Sequence, residues 1–323
     1  MNFIEEEYKF QSNEYQINGS LSYPKTSKEK FPAAILIHGS GPNDRDETIY
    51  GNKPFKDIAH YLSSNGVAVL RYDKRTFTYQ NSIPIEEIKQ MSIKEEVIDD
   101  ALNALNSLSS LPYIDSQELY LIGHSLGGWC APLIVEKYPV KGICLIAANA
   151  RTIDILLKEQ IKYQLTFNAL NTILERNILI NKKILDSIIE EERNKIDVYF
   201  NKIRKNMIKD DENFFGAYQE YYRFWIETDP KQSLKSFNGK ILILQGENDC
   251  QVSMEDFNIW KKALGENKAK NYTCRSFPNI NHLLMKCEDK STGKEYMCKS
   301  NVDKEILVAI ENWIKNEQSN QLN

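Results

Sequence analysis

Four things are missing or scarce in this chain. Its six cysteines include no CxxC pair, and it has only four histidines. No apolar run approaches the ~20 residues that cross a bilayer. Positive charge is in deficit, with 41 Lys and Arg against 45 Asp and Glu and a net charge of −4. Without paired cysteines a zinc site is not expected, and no metal is assigned. Without a basic face there is no electrostatic means of searching for nucleic acid, and the mixed charges read as a solvated surface. The opening MNFIEEEYKF lacks the basic stretch and apolar core of a secretory signal. The expectation is a cytoplasmic protein with neither nucleic acid nor membrane as a partner. Cys130 and Cys144 lie in apolar runs and read as buried small hydrophobes. Cys287 and Cys298 bracket a short polar loop and would pair only in an oxidising compartment.

What is present is alternation. "AAILIHG" (33–39), "VAVLRYD" (67–73), "LYLIGHS" (119–125), "GICLIAA" (142–148) and "KILILQG" (240–246) are continuous apolar runs that end at Gly, Ser, Asp or Ala. Such runs fit strands buried on both faces of a parallel sheet. Helix-like segments lie between them. "KPFKDIAHYLSSNG" (53–66) stops at Asn-Gly, and "IKEEVIDDALNALNSL" (93–108) spaces Ile93, Val97, Ala101 and Leu105 by four. "NVDKEILVAIENWIKN" (301–316) closes the pattern. Strand–helix alternation predicts an α/β fold with a mostly parallel central sheet and helices on both faces.

Two regions break it. Residues 1–30 mix polar and apolar residues around Asn-Gly and read as an antiparallel hairpin or meander at the sheet edge. Residues 151–235 have no strand-like run. Ile153, Leu156, Leu157, Ile161 and Leu165 form one helical stripe; Ile184, Ile188, Ile196, Tyr199, Ile203 and Met207 form another. The expected organisation is a core of residues 1–150 and 236–323 with a helical cap insert at 151–235.

The chemistry is sought at the ends of the strands. Gly123-His124-Ser125-Leu126-Gly127 joins a predicted strand to a predicted helix. A serine hydroxyl needs a base to become a nucleophile, a third group to orient that base, and donors for the oxyanion. The sharp turn strains Ser125, and the two glycines let strand and helix approach. The alternative for Ser125 is a glycine-rich turn without catalysis. "HGSG" (38–41) follows the first core strand, where the Ser40 backbone N–H would join that of Leu126 as an oxyanion donor. Asp249 in "QGENDCQV" lies just past another strand; Glu247 is the rival acid, and a helix-capping turn is the non-catalytic alternative. His282 in "NINHLL" follows the last strand and is the candidate base. His60 lies mid-helix, His124 inside the elbow, and His38 precedes the serine, so none of these is assigned as base. The chain order Ser125, Asp249, His282 is the α/β-hydrolase order.

The segments "HGSGPNDRDE", "VLRYDKR", "GHSLGG", "FWIETDP", "ILILQGENDCQV" and "NHLL" together resemble the α/β-hydrolase superfamily, and within it the bacterial EstD-type carboxylesterase group. The resemblance implies a cofactor-free ester hydrolase for short acyl chains, with Ser125, Asp249 and His282 as triad and Ser40 and Leu126 as oxyanion donors. Its partner would be a small-molecule ester, and a homo-oligomer stays open. One departure is Thr76 in "DKRTF", where a glycine commonly follows Lys-Arg. Arg45 either contacts a substrate acid or pairs with Asp46 or Asp73. Tyr221, Tyr222, Phe224 and Trp225 either line an acyl pocket or pack the insert on the core. The rival activities are an acyl-CoA thioesterase or a serine peptidase on the same triad, or a binding module without catalysis.

Overall fold

The computed structural model describes residues 2–26, 29–176, 181–209, 212–266 and 271–316, and for 170–176 the backbone alone. Eight strands form one sheet: β1 (Phe3–Ser12), β2 (Tyr15–Pro24), β3 (Phe31–Ile37), β4 (Ala68–Tyr72), β5 (Ile114–His124), β6 (Gly142–Ile146), β7 (Lys240–Gly246) and β8 (Tyr272–Phe277). Their order across the sheet is β1-β2-β4-β3-β5-β6-β7-β8. From β4 to β8 every neighbouring pair is parallel. The hairpin β1–β2 joins that sheet antiparallel through β4. This is the α/β-hydrolase architecture.

The helices follow the strands. They are α1 (Pro54–Ser64), α2 (Arg75–Thr78), α3 (Ile85–Gln90), α4 (Asp100–Ser109), α5 (Leu126–Val135), α6 (Ile153–Arg176), α7 (Lys182–Arg204), α8 (Gln219–Glu227), α9 (Pro230–Ser233), α10 (Met254–Glu266) and α11 (Lys304–Lys315). A π-helical turn, Lys94–Asp99, leads into α4. The continuous apolar strands are explained by cover on both faces. Ile35, Ile37, Leu121, Leu145 and Ile243 point into the core under α4, α5 and α10; Ala34, Leu36, Ile122, Ile146 and Leu244 point into the core under α1 and α11. Alternate residues of one strand therefore serve two cores.

Some sequence expectations differ from the structure. Asn18-Gly19 is not a turn but lies within β2, paired with β4. A Cβ on Gly19 would collide with the carbonyl of Arg71, so close strand approach, not turn geometry, demands glycine there. The hairpin turns instead at Asn13, whose φ is 51°. The second stripe is only partly apolar-facing: Ile196, Tyr199 and Ile203 of α7 are buried, whereas Ile184, Ile188 and Met207 are exposed. The first turns of α7 stand clear of the core, so its hydrophobic period exceeds its contact.

Between β6 and β7 the described residues contain helices α6 to α9 and no strand. Their anchor is Asp256 on α10, fully buried, which accepts the backbone N–H groups of Ala150 and Arg151 at 2.8 and 3.0 Å and the Arg151 guanidinium at 2.7 Å. Arg151 reaches on to Glu159 of α6 and to Glu255. Trp260 of α10, also fully buried, donates to the carbonyl of Ala148 at 3.0 Å. The chain thus enters the helical segment through a fixed corner.

Candidate active site

β5 ends at His124 and α5 starts at Leu126, so one residue makes the whole turn. That residue, Ser125, has φ 53° and ψ −118°. A non-glycine residue in this region is strained, and it persists only where the surroundings enforce it. Here the enforcement is visible. The Ser125 N–H donates to the Ile146 carbonyl of β6 at 2.9 Å, and its own carbonyl accepts from Trp129 at 3.2 Å. A Cβ on Gly123 would meet the backbone of Gly127, and a Cβ on Gly127 would meet the backbone of Ile37 in β3. The elbow therefore needs both glycines for close approach. Leu126 is the first residue of α5, where backbone N–H groups have no partner one turn back and favour negative charge.

The loop after β3 is tied by two side chains. The Gly39 N–H donates to Glu47 Oε1 at 2.7 Å. Lys74 Nζ donates to the Gly41 carbonyl at 2.8 Å and the Gly39 carbonyl at 3.2 Å. In a trans peptide the N–H lies opposite the carbonyl, so the Ser40 N–H is turned away from Lys74. Lys74 is itself buried against Glu96, at 3.1 Å. A Cβ on Gly39 would sit 3.3 Å from Ser125 Cβ, so this loop and the elbow are in direct apposition.

Asp249 follows β7 and is 1% exposed. Its Oδ1 accepts the N–H groups of Gln251 and Val252 at 2.7 and 2.9 Å, and its Oδ2 accepts Gln245 Nε2 at 3.1 Å. Oδ2 also accepts His282 Nδ1–H at 2.7 Å, with the imidazole buried. Four donors satisfy the carboxyl oxygens and leave the ring one orientation. The rival acid Glu247 is exposed and accepts from Ser276 at 2.7 Å, away from His282. Ser125 Oγ makes no hydrogen bond to His282 among the described residues. The two loops meet one residue earlier, where His124 Nε2 donates to the His282 carbonyl at 2.9 Å. Catalytic hydrogen bonds commonly tighten only when substrate is bound.

Ser125 and Ser40 open on a cavity of about 440 Å³. Ile83, Ile88, Met91, Ile153, Leu156 and Trp225 give it apolar walls; Thr76, Glu96 and Asn149 add polar atoms. The α8 aromatics do both things considered for them. Tyr221, Tyr222 and Trp225 line the cavity, while Phe224 and Trp225 pack on Trp129 of α5 at 6.3 and 5.7 Å. Arg45 does not reach the cavity lining: it grips Asp73 and Glu7 at 2.8 Å and fixes the loop to the hairpin. His38 donates Nε2–H to the Tyr72 carbonyl at 2.6 Å and stacks on Phe55; burial pushes its pKa down. His60 pairs with Glu5 at the sheet edge.

A family profile described as "Serine aminopeptidase, S33" matches residues 52–289. The chain belongs to this α/β-hydrolase family. Esterase EstD of Thermotoga maritima is 36% identical over 310 residues, which are 94% of this chain and 68% of that protein. The protein named inactive dipeptidyl peptidase 10 of Rattus norvegicus is 27% identical over 184 residues, 52% of this chain but 23% of that one. Among solved structures, Est1E from Butyrivibrio proteoclasticus superposes with a TM-score of 0.60 at 15% identity, covering 96% of this chain and 98% of that one. At that identity the likeness concerns the fold.

Sequence reading missed three buried charged residues beside the elbow and the loop after β3. Glu47 stood at the end of "HGSGPNDRDE" without a role, Lys74 read as part of "DKR", and Glu96 looked like one more acid on an amphipathic helix. Nothing in periodicity marks them. A cue for Glu96 was available in hindsight, because it lies next to Val97 on the apolar stripe and a charge there must find a partner.

Proposed function

We propose that this chain is a serine hydrolase that cleaves carboxylic esters with short acyl chains, using Ser125, His282 and Asp249. One observation carries the reading. A buried Asp249–His282 hydrogen bond of 2.7 Å belongs to a loop that meets the residue before a serine held at positive φ on the wall of a half-open cavity. His282 takes the Ser125 proton as Oγ attacks the ester carbonyl, and the backbone N–H groups of Ser40 and Leu126 hold the oxyanion. Asp249 stabilises the imidazolium. The C–O bond then breaks, His282 returns the proton to the leaving alcohol, and an acyl-Ser125 ester remains. Water, deprotonated by His282, attacks this ester and releases the acid and the serine.

The 36% identity to an esterase supports ester hydrolysis, and the cavity supports short chains, since about 440 Å³ is near the low end for small-molecule sites. Residues 151–235 act as a cap, because Ile153, Leu156 and the α8 aromatics line the cavity from above the sheet edge. We place the chain in the cytoplasm: all six cysteines are free, as in a reducing compartment, and no helix among the described residues is long and apolar enough to cross a membrane.

The test is hydrolysis of p-nitrophenyl acetate and butyrate beside acyl-CoAs and aminoacyl amides. Ser125→Ala should lower kcat on the order of 10⁶-fold, and a fluorophosphonate should label Ser125 alone. A variant that keeps more than a few per cent of activity refutes the mechanism. Higher kcat/KM on acyl-CoAs or amides refutes the substrate class.

A further inference from the structure

The nucleophile, the oxyanion loop and the base loop come from three different strand ends, and a single buried pair touches all three. Glu47 Oε1 accepts the Gly39 N–H at 2.7 Å; its Oε2 lies 2.9 Å from His124 Nδ1. His124 directly precedes Ser125, and its Nε2 points 2.9 Å from the His282 carbonyl. Both side chains are buried. We propose that Glu47 and His124 are positioning residues, a carboxylate–imidazolium bridge that holds the oxyanion loop, the elbow and the base loop in register for the ester hydrolysis assigned above.

The protonation state follows from the partners. A carbonyl oxygen only accepts, so Nε2 carries a proton. Nδ1 lies 2.9 Å from Glu47 Oε2 as an ion-pair contact, not an aligned hydrogen bond, and the bridge requires a proton there too. In the bridge the ring is thus an imidazolium and Glu47 a carboxylate. The charged and titratable groups around them agree. Burial disfavours charge on His124, yet Glu47, the His282 carbonyl and Asp249 outweigh it and raise its pKa. Burial likewise opposes charge on Glu47, but His124, His38 and the Gly39 N–H lower its pKa on balance. His282 lies 4.6 Å from His124, ring centre to ring centre, and Phe55 of α1 closes another side.

Neutrality of the pair matters for the chemistry. Glu47 alone would set an unbalanced anion beside the loop that must hold an oxyanion. His124⁺ alone would oppose the positive charge His282 gains when it takes the serine proton. Paired, they cancel at both ends while their hydrogen bonds still fix the backbone. Their effect is thus on kcat rather than on substrate binding, because the oxyanion and the second imidazolium exist only after attack begins.

The experiment uses the full chain with Glu47→Gln, His124→Asn and the double variant. Glu47→Gln keeps an acceptor for Gly39 but removes the charge. Active sites are counted by fluorophosphonate burst, and kcat is given per labelled site well below the melting temperature. Each single change should lower kcat on the order of 10-fold to 10²-fold with KM for p-nitrophenyl butyrate within about threefold, and the double variant should be no worse than the poorer single. The wild type supplies an independent readout: ¹⁵N-histidine spectra at pH 7 should show His124 with both ring nitrogens protonated. A His124 ring with one proton, kcat per site within twofold of wild type in both singles, or multiplicative losses in the double variant overturn the bridge. If the wild type neither hydrolyses esters nor takes the label at Ser125, the assigned reaction fails instead.

Discussion

Lys74→Met tests how the oxyanion loop is held. In the wild type, Lys74 Nζ lies 3.1 Å from Glu96 and also donates to two loop carbonyls. Methionine keeps most of the stem, so packing changes little. The charge, however, is lost. Glu96 is 4% exposed, and Thr76 Oγ1 at 2.6 Å, with the Tyr221 hydroxyl, becomes its main support. Breaking a buried pair on one side costs about 3–5 kcal/mol, because the remaining charge stays desolvated. The two carbonyls add little: Gly41 is exposed, so water replaces the ammonium there, and the buried Gly39 carbonyl keeps Asn43 Nδ2 at 3.2 Å. The expected loss is therefore about 4 kcal/mol, read by urea unfolding at pH 7. A second change, Glu96→Gln, removes the orphaned charge and should bring the loss back to about 1–2 kcal/mol. It should not restore kcat. The peptide that carries the Ser40 N–H is oriented through the Gly39 carbonyl, and losing one oxyanion donor costs on the order of 10²–10³ in turnover. Stability within 1 kcal/mol of wild type, or kcat within about threefold, for Lys74→Met would refute the reasoning.

Gly127→Ala would push a methyl into the Ile37 backbone and should cost about 3 kcal/mol or more, seen as a lower urea midpoint; an unchanged midpoint means the elbow has slack. Leu156→Ala, on the cavity wall, should raise the hexanoate-to-butyrate ratio of kcat/KM about tenfold while melting at lower temperature, and a flat chain-length profile would place the acyl group elsewhere. Asp256→Ala leaves Arg151 buried without its main partner and should cost about 3–5 kcal/mol by denaturant titration. The Glu47–His124 pair has a pH window. Glu47 is lowered below its ordinary 4.5, so its contribution is present above that pH and fades as pH falls through the lowered value. His124 is raised above its ordinary 6.5, so its contribution is full below that pH and fades as pH rises through the raised value. The stability gap between wild type and Glu47→Gln should therefore peak between about pH 4.5 and 6.5; a gap that keeps growing above pH 8 contradicts the assignment.

Much of the framework was legible because it is local. Five apolar runs marked β3 to β7, and their lack of alternation reported cover on both faces. The positions Ser40, Ser125, Asp249 and His282 were legible because each follows a strand, and the strand order already sends their loops to one edge. What misled was a signal that also looks local but is settled elsewhere. Asn18-Gly19 has turn chemistry, yet its glycine is there for Arg71 of a neighbouring strand. Ile184 and Ile188 share a stripe with Ile196, yet both are exposed.

The sequence by itself determined where strands stop and which residues with nucleophilic, basic or acidic side chains stand at those stops. Periodicity and chain order suffice for that, because they depend on near neighbours and on a sheet whose connections are short. Only the tertiary structure decided which charges meet. Glu47 finds His124 across 77 positions and Asp249 finds His282 across 33, while Glu247, two residues away, finds Ser276 instead. A carboxylate has no periodicity. Its role is set by whether folding takes it out of water and by which donors are there when it arrives, and both are properties of loops brought together by the sheet.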